Sequence, residues 1–469
     1  MRITLTFILL AASGSGAEAH AFAQRYDLPL PLWHYIAGAG ATVALSVFAA
    51  ALFARLNPRP APSLRIRVSH GLARWLEAAL RLLGLACLAL LLAAGFSGDQ
   101  GDWDSNLLPV GVWVLWWVGL AFLAALVADL WPVLDPWRSI GLWLFDKGPS
   151  RHCRGLAKFG AWPALLLFLF FAWAELVWNE NAVPRKLALL IVAGSLFTWA
   201  GMALMGVDAW RRHCDAFGLF FGLFGRFAPL TCQRDPHGVT LVLRPYGTGL
   251  KQDEPPSISF MAFVILLLAS VAFDGINETP FWESITGLIV GSLYDIGFVS
   301  AFGYGAAGAL TKTFGLLATP LVFALIYLAI SALTGRLCGQ SALFTARRHV
   351  LSLTPIAIGY HLAHYLSYLL IQGQAALPLL SDPLNLGWDL FGWRGREIDI
   401  GVVDARFIWL SAVGSIIAGH VAAIFLAHQD GLRDSSGWAA VQRRWPMSIL
   451  MILYTMLSLW ILSQPIVEV

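Results

Sequence analysis

Ten long apolar runs dominate this chain and limit what it can fold into. Each run has about 17–25 residues, which is the length that a helix needs to cross the hydrocarbon core of a bilayer. The ten runs lie at 32–54, 76–96, 108–130, 161–178, 187–207, 258–274, 314–334, 350–372, 406–427 and 447–463. The pattern predicts an all-α polytopic membrane protein with about ten transmembrane helices.

The composition excludes the soluble alternatives. Of the 469 residues, 58% are hydrophobic and only 13% are charged, and the mean hydropathy is +0.69. Soluble domains carry about 25% charged residues, so this chain cannot cover the surface of a water-soluble globule of its size. A soluble enzyme, a nucleic-acid binder and a disordered chain are therefore excluded, and the lipid bilayer is the expected surrounding.

The first 19 residues are typical of a cleaved signal peptide. Arg2 precedes the apolar stretch Ile3–Ala12, and Ala17-Glu18-Ala19 has the small-residue spacing of a cleavage site. Cleavage would leave His20 at the mature N-terminus, where the ring and the α-amine could together chelate a metal ion.

The positions of Lys and Arg predict the orientation. If the mature N-terminus lies outside, the inside loops hold 22 of these residues and the outside loops hold 7. Inside loops of membrane proteins are enriched in Lys and Arg, so this orientation in a bacterial cytoplasmic membrane is the favoured one.

This orientation gives the chain its predicted segments. They are the signal peptide 1–19, transmembrane helices one to five at 20–207, a cytoplasmic or interfacial loop at 208–257, and helices six to ten at 258–463, with long external segments at 275–313 and 373–405. Residues around Val239–Pro245 could form a short hairpin. The Gly-rich segment 275–313 is expected outside the membrane or re-entering it.

Ionisable residues within the eighth and ninth runs are candidate ligands. His361 and His364 stand at i and i+3 on one face of the eighth run, and His420 lies near the middle of the ninth. The antiparallel helices would place His361 and His420 within roughly 4.5 Å in depth. Small residues on the ninth helix would permit close packing, namely Ser411, Ser415, Gly419 and Ala423. We predict that the three histidines bind a divalent metal ion, with zinc favoured.

Two further side chains are predicted to be catalytic. Asp274 ends the sixth run and could serve as a ligand or a general base, and Tyr365 continues the polar face of the eighth run. A metal-bound water would then be the nucleophile. The alternatives are that the histidines only hydrogen-bond between helices and that Asp274 is a solvated helix end. Glu175 is predicted to be interfacial, and Glu77 and Arg81 to form a structural pair at i, i+4.

Segments across the mature chain resemble one bacterial family, the integral membrane fenitrothion hydrolases. The matching segments are Ala19–Pro31, Asp135-Pro136-Trp137-Arg138, Ala216–Pro229, Phe273-Asp274-Gly275, Ala363-His364-Tyr365, Gln372-Gly373-Gln374, Ser381-Asp382-Pro383, Gly387–Gly392, Gly419-His420-Val421 and Ala427-His428. The resemblance implies hydrolysis of an organophosphorus triester such as fenitrothion, with release of a nitrophenol. It implies no set of catalytic residues. Such triesters are apolar small molecules that partition into the bilayer, where a site within the membrane could meet them.

Two other functions use the same residues. An intramembrane row of histidines is also typical of a metal permease or a proton-coupled permease. A b-haem carrier with His364 and His420 as axial ligands is the third hypothesis.

Overall fold

The computed structural model describes residues 28–53, 63–145, 157–235, 238–431 and 438–466, so the predicted signal peptide and His20 lie outside it. Most of the described chain is helical. The helices are α1 (Leu32–Phe53), α2 (His70–Ser97), α3 (Leu107–Leu126), α4 (Trp131–Leu134), α5 (Pro136–Phe145), α6 (Trp162–Leu176), α7 (Pro184–Met205), α8 (Val207–His213), α9 (Ala216–Phe227), α10 (Ile258–Asn277), α11 (Pro280–Asp295), α12 (Phe298–Cys338), α13 (Ala342–His349), α14 (Thr354–Gln372), α15 (Ala376–Ser381), α16 (Ala405–Gly431) and α17 (Trp438–Ile466). The strands are β1 (Leu64–Val68), β2 (Leu230–Asp235) and β3 (Gly238–Leu243).

Every predicted apolar run falls on a helix, and the described residues include eight helices that are long and apolar enough to cross a membrane. These eight are α1, α2, α3, α7, α10, α12, α16 and α17. Of the other two runs, one is the 15-residue α6, and the other is the 19-residue α14, whose histidines and tyrosines lower its hydropathy. The architecture is that of a multi-pass helical membrane protein, as the sequence predicts.

The polar helix α14 lies at the centre, next to α10. In the most apolar stretch of α10, 78% of the residues are buried inside the protein. In the corresponding stretches of α2 and α12 only 17% are buried, so these two helices lie at the periphery. Most of α14 is buried as well. Lipid-facing helices can be uniformly apolar, whereas a central helix can carry polar groups if neighbouring helices cover them. The two candidate histidines of α14 are therefore inside protein rather than in lipid.

Close packing of α14 against α16 depends on two glycines. A Cβ atom on Gly419 would lie 2.5 Å from the carbonyl oxygen of Pro355, and one on Gly359 would lie 2.5 Å from the carbonyl oxygen of Ser415. Backbones that approach this closely need small residues at the crossing. The predicted small-residue contact on the ninth run is confirmed, and its partner on the eighth run is also a glycine.

A ten-residue segment of α3 departs from α-helical geometry. Val110–Gly119 is π-helical and carries Trp113, Trp116 and Trp117. A π-helix is wider than an α-helix and shifts the side chains that follow it around the axis; such segments are frequent at functional sites. Here the shift brings Trp117 against α14, where its ring lies 5.8 Å from that of His361.

A three-stranded antiparallel sheet lies at one end of the helices, with the order β1-β3-β2. β2 and β3 form a hairpin, and the region predicted for it, around Val239–Pro245, contains only its second strand. The third strand, β1, comes from the loop between α1 and α2 and pairs Leu64 with Leu243 and Val68 with Val239. The sequence did not predict this pairing. We call this end of the molecule the sheet end and the opposite one the loop end.

Contacts between loops agree with the predicted alternation of sides. At the sheet end, Arg347 Nε donates to the carbonyl oxygen of Pro256 at 2.6 Å. At the loop end, Asn385 Nδ2 donates to Asp99 Oδ2 at 3.2 Å, and the backbone N–H of Arg185 donates to Gln100 Oε1 at 3.2 Å. Loops that the sequence assigns to one side therefore contact each other.

The segment 275–313 is helical rather than irregular. It contains the end of α10, all of α11 and the first part of α12. Gly297 joins α11 to α12 with a φ of 81°, and Gly303 kinks α12 with a φ of 84°. Residues with a side chain rarely adopt these angles. Two glycines of this Gly-rich segment therefore mark a turn and a kink.

Candidate functional site

Asp274 is the centre of a buried polar cluster between α10 and α14. Its Oδ2 accepts a hydrogen bond from His364 Nε2 at 2.8 Å and from the Tyr365 hydroxyl at 2.6 Å. All three side chains are buried, with at most 9% of each residue exposed. A buried carboxyl group needs donors to replace lost water, and two donors on one oxygen supply that. The sequence-predicted residues Asp274, His364 and Tyr365 thus lie together.

The local backbone allows this approach. Asp274 lies in the last turn of α10, and a Cβ atom on the following residue, Gly275, would collide with the Tyr360 hydroxyl and with Ile461. Tyr360 stands one turn before His364 on α14. Gly275 therefore lets α14 lie close enough for His364 and Tyr365 to reach the carboxyl group.

Glu175 on α6 adds a second carboxyl group. The Tyr365 hydroxyl lies 3.5 Å from Glu175 Oε1 and 2.6 Å from Asp274 Oδ2. One hydroxyl proton serves one acceptor at a time, so the shorter distance makes Asp274 its main partner. The sequence prediction that Glu175 is merely interfacial missed this role. The available signal was a single carboxyl group within an apolar run.

His361 is enclosed by aromatic rings. Its ring centroid lies 4.7 Å from that of Tyr365, and between 5.7 and 6.3 Å from four others. These four rings belong to Trp117, Phe122, Phe220 and Phe224. The residue is 1% exposed, and neither ring nitrogen has a hydrogen-bond partner within the described part of the chain. A buried, unsatisfied imidazole is costly to the fold, which makes His361 a candidate for contacting a ligand.

His420 occupies a different environment. Its Nδ1 lies 2.9 Å from the carbonyl oxygen of Ile416 on its own helix, and its ring centroid lies 5.7 Å from that of Tyr454 on α17. The Nδ1–H therefore donates to the carbonyl group, which leaves the lone pair on Nε2. That atom is buried and has no hydrogen-bond partner among the described residues.

The three histidines of the predicted metal site contact different helices. Within the described ranges, no group of three or more His, Cys, Asp or Glu side chains is arranged to hold a metal ion. His361 contacts α3 and α9, His364 contacts α10, and His420 contacts α17. A zinc ion bound by the three histidines therefore stays a prediction of the sequence. Their depths were deduced from chain position, whereas convergence depends on the rotation of each helix.

A second group of acidic side chains lies at the sheet end and is held differently. Asp129 accepts from the backbone N–H of Trp131, Asp135 from that of Arg138, and Asp215 from that of Gly218, at 2.7–3.0 Å. Burial raises the pKa of Asp135 to about 7, and the neighbouring Asp215 adds to the rise. Burial also raises the pKa of Asp215. These carboxyl groups stabilise turns and helix starts.

One smaller prediction also has an outcome. Glu77 and Arg81 do pair, at 2.5 Å, and Arg234 of β2 joins them at 2.9 Å from Glu77. Other turn and loop carboxyl groups lie at the loop end: Asp382 accepts from the backbone N–H groups of Leu386 and Gly387, both at 2.8 Å. These contacts are structural and lie apart from Asp274.

Comparison of the chain with protein-family models, with curated protein sequences and with solved structures finds no match.

Proposed function

We propose that this protein is a membrane-bound hydrolase of organophosphorus triesters of the fenitrothion type. The observation that carries the proposal is the hydrogen bonding of both His364 and Tyr365 to one oxygen of Asp274. An imidazole oriented by a buried carboxylate is the arrangement by which many hydrolases activate a nucleophile. The substrate class rests on the resemblance described above.

In the proposed reaction His364 acts as the general base. A neutral imidazole that donates Nε2–H to Asp274 carries its basic lone pair on Nδ1. That nitrogen removes a proton from water while the water oxygen bonds to phosphorus. The bond between phosphorus and the aryl oxygen then breaks, and the proton passes to the departing phenolate. Asp274 and Tyr365 position His364, and Asp274 stabilises the imidazolium ion that forms.

The aromatic surroundings of His361 suit the aryl group of such a substrate. Aromatic rings pack favourably edge to face, and the rings around His361 already adopt such angles. Its unsatisfied nitrogens could donate a hydrogen bond to the phenolate oxygen or the nitro group. We therefore assign His361 to binding of the leaving group.

The proposed membrane topology and localisation rest on the sequence. We propose ten spans in a bacterial cytoplasmic membrane, a cleaved signal peptide and an outside mature N-terminus. The apolar substrate would enter from the bilayer. Zinc remains the proposed metal if one is required, and elemental analysis of the purified protein beside its His361→Ala, His364→Ala and His420→Ala variants tests it. Equal metal content in all four proteins would remove the three-histidine site.

Release of nitrophenol by the purified full chain tests the hydrolase proposal. Fenitrothion is incubated with the wild type, with His364→Ala, and with Asp215→Asn as a matched control at a buried carboxyl group outside the site. We expect turnover by the wild type and the control and loss of turnover in His364→Ala. No turnover by a folded wild type, or equal turnover by all three, would refute the proposal.

A proton-coupled permease is the second candidate, and a cavity at the sheet end favours it. The cavity is lined by His349, His428, Arg444 and Ser448, and also by Ile424, one helical turn from His420. Between this cavity and Asp274 lie His420 Nε2 and the Tyr360 hydroxyl, both buried and without hydrogen-bond partners in the described residues. Polar groups in such a series could carry protons across the membrane.

Proteoliposomes with a trapped pH indicator separate the two functions. A permease would dissipate an imposed pH gradient, and His420→Ala would slow this, whereas nitrophenol release would be absent. A hydrolase would release nitrophenol, and the pH gradient would decay at the rate of protein-free vesicles.

A further inference from the structure

The three-stranded sheet carries arginines on one face. In the register of the sheet, Arg65 pairs with Val242, and Arg67 pairs with Thr240, which in turn pairs with Gln233. Directly paired residues share a face, and residues i and i+2 of one strand stand roughly 7 Å apart. Arg65 and Arg67 are thus neighbours on the same face, at a spacing that one phosphate group could bridge.

A wide, open cavity lies over this face. It is lined by Arg65, Arg67, Gln233, Arg234 and Thr240. Both arginines of β1 are exposed, and neither has a carboxylate partner among the described side chains. Arg234, by contrast, is paired with Glu77, which also holds Arg81. The cavity therefore offers two guanidinium groups without a carboxylate partner beside the exposed amide of Gln233, which is a chemistry that recognises phosphate oxygens.

The other face of the same sheet exposes apolar side chains of β1 and β3, and it also carries Arg234 of β2, which is paired with Glu77. Leu64, Ile66 and Leu243 are 60%, 53% and 47% exposed. Apolar side chains exposed next to basic ones indicate an element that lies in the membrane interface, with its apolar face in the lipid and its arginines among the headgroups.

The chain connections place the sheet at that depth. Only Ser69 separates β1 from the first residue of α2, and its hydroxyl caps that helix by accepting from the backbone N–H of Leu72. Trp75, in the second turn of α2, is 67% exposed. Tryptophan is enriched where a spanning helix leaves the hydrocarbon core, so β1 lies at the level of the lipid headgroups.

We propose that Arg65 and Arg67, with Gln233, form a binding site for the headgroup of an anionic phospholipid in the leaflet at the sheet end. The phosphate lies between the two guanidinium groups, and the apolar face of the sheet packs on the acyl chains. This inference is independent of the hydrolase proposal, because Asp274 lies at the far end of α10.

Native mass spectrometry of the purified full chain tests the site. The protein is titrated with phosphatidylglycerol and, separately, with phosphatidylcholine. We compare the wild type with Arg65→Gln/Arg67→Gln and with the charge-matched control Arg185→Gln/Lys186→Gln at the loop end. Two lost arginines at roughly fivefold each predict about 25-fold weaker phosphatidylglycerol binding in the first variant. The control should bind like the wild type.

A charge-conserving variant and a competition experiment separate the remaining explanations of a loss of binding. Arg65→Lys/Arg67→Lys keeps the charge and should retain most binding, which separates loss of charge from loss of the sheet. A millimolar excess of inorganic phosphate should leave lipid binding unchanged. Displacement by phosphate would overturn the lipid assignment, and equal phosphatidylglycerol binding by the wild type and the Gln variant would overturn the site. Nitrophenol release, if present, should be the same in all variants.

Discussion

The buried carboxyl groups at the two ends of the molecule are satisfied in opposite ways. At the sheet end, Asp135 and Asp215 accept hydrogen bonds from backbone N–H groups and so fix turns and helix starts. Near the loop end, Asp274 accepts from His364 and Tyr365, side chains that can themselves exchange protons. Burial alone therefore does not identify a functional carboxyl group, whereas the type of donor does. Backbone donors indicate a structural role, and ionisable donors indicate a chemical one.

The largest effect should come from exchanging one carboxyl group at each end for an amide. Asp274→Asn should lower kcat for nitrophenol release by about 100-fold or more, because the imidazolium of His364 loses its counter-charge. Asp215→Asn should leave kcat near the wild-type value, since the amide oxygen can still accept from Gly218. If the two purified, folded variants lost kcat to a comparable extent, the type of hydrogen-bond donor would not distinguish functional from structural carboxyl groups.

Removing a single donor from Asp274 should have a smaller effect. Tyr365→Phe keeps the ring against His361 but deletes a hydrogen bond to a charged group, which contributes about 1.5 kcal/mol, or roughly tenfold in rate. We expect kcat to fall, KM to change little, and the acidic side of the pH–rate profile, where His364 must lose its proton, to move. A purely structural tyrosine would instead lower thermal stability and leave the pH profile unchanged.

At the sheet end, the effect should appear in stability. Asp215 caps α9 by accepting from the backbone N–H of Gly218. Asp215→Ala should destabilise the protein by about 1 kcal/mol, the usual cost of losing such a cap. Thermal unfolding in detergent should show a lower midpoint for Asp215→Ala than for Asp215→Asn, which keeps an acceptor. Identical midpoints would show that the cap contributes nothing.

A further effect at the sheet end is a change in how stability depends on pH. Burial raises the pKa of Asp135 from 3.8 to about 7. A carboxyl group with a raised pKa favours folding while protonated, and this contribution is lost as the pH rises from about 4 to about 7. In Asp135→Asn the midpoint of thermal unfolding should therefore fall less steeply with pH over this range. Asp208→Asn, at an exposed position of α8, is the control and should show the wild-type slope. A slope unchanged by Asp135→Asn would contradict the assignment.

The spanning helices and part of the site were predictable from the sequence. Apolar runs of membrane length must be helical, because lipid offers no hydrogen-bond partners to the backbone, and all ten predicted runs are on helices. The pairing of Asp274 with His364 and Tyr365 was within reach as well, since all three are polar residues at similar depth. The close crossing at Gly419 followed from its small neighbours.

The remaining features depend on information that periodicity does not carry. Whether His420 meets His361 depends on how each helix is rotated about its axis, and the structure turns His420 towards Tyr454. The role of Glu175 depends on which helix lies beside α14. The Gly-rich composition of 275–313 does not show where helices begin and end, so α11 and the first part of α12 were not predicted as helices.

The pairing of β1 with β3 also bears on how the protein is made. Val68 and Gly238, near the two strands' adjoining ends, are separated by 170 residues of sequence. At about 5–20 residues per second, β1 must wait roughly 10–30 s for its partner to leave the ribosome. During that time it is an unpaired strand edge, which is a template for aggregation. Arg65 and Arg67 keep that edge charged, so the same two side chains that face the lipid headgroups would protect the nascent chain.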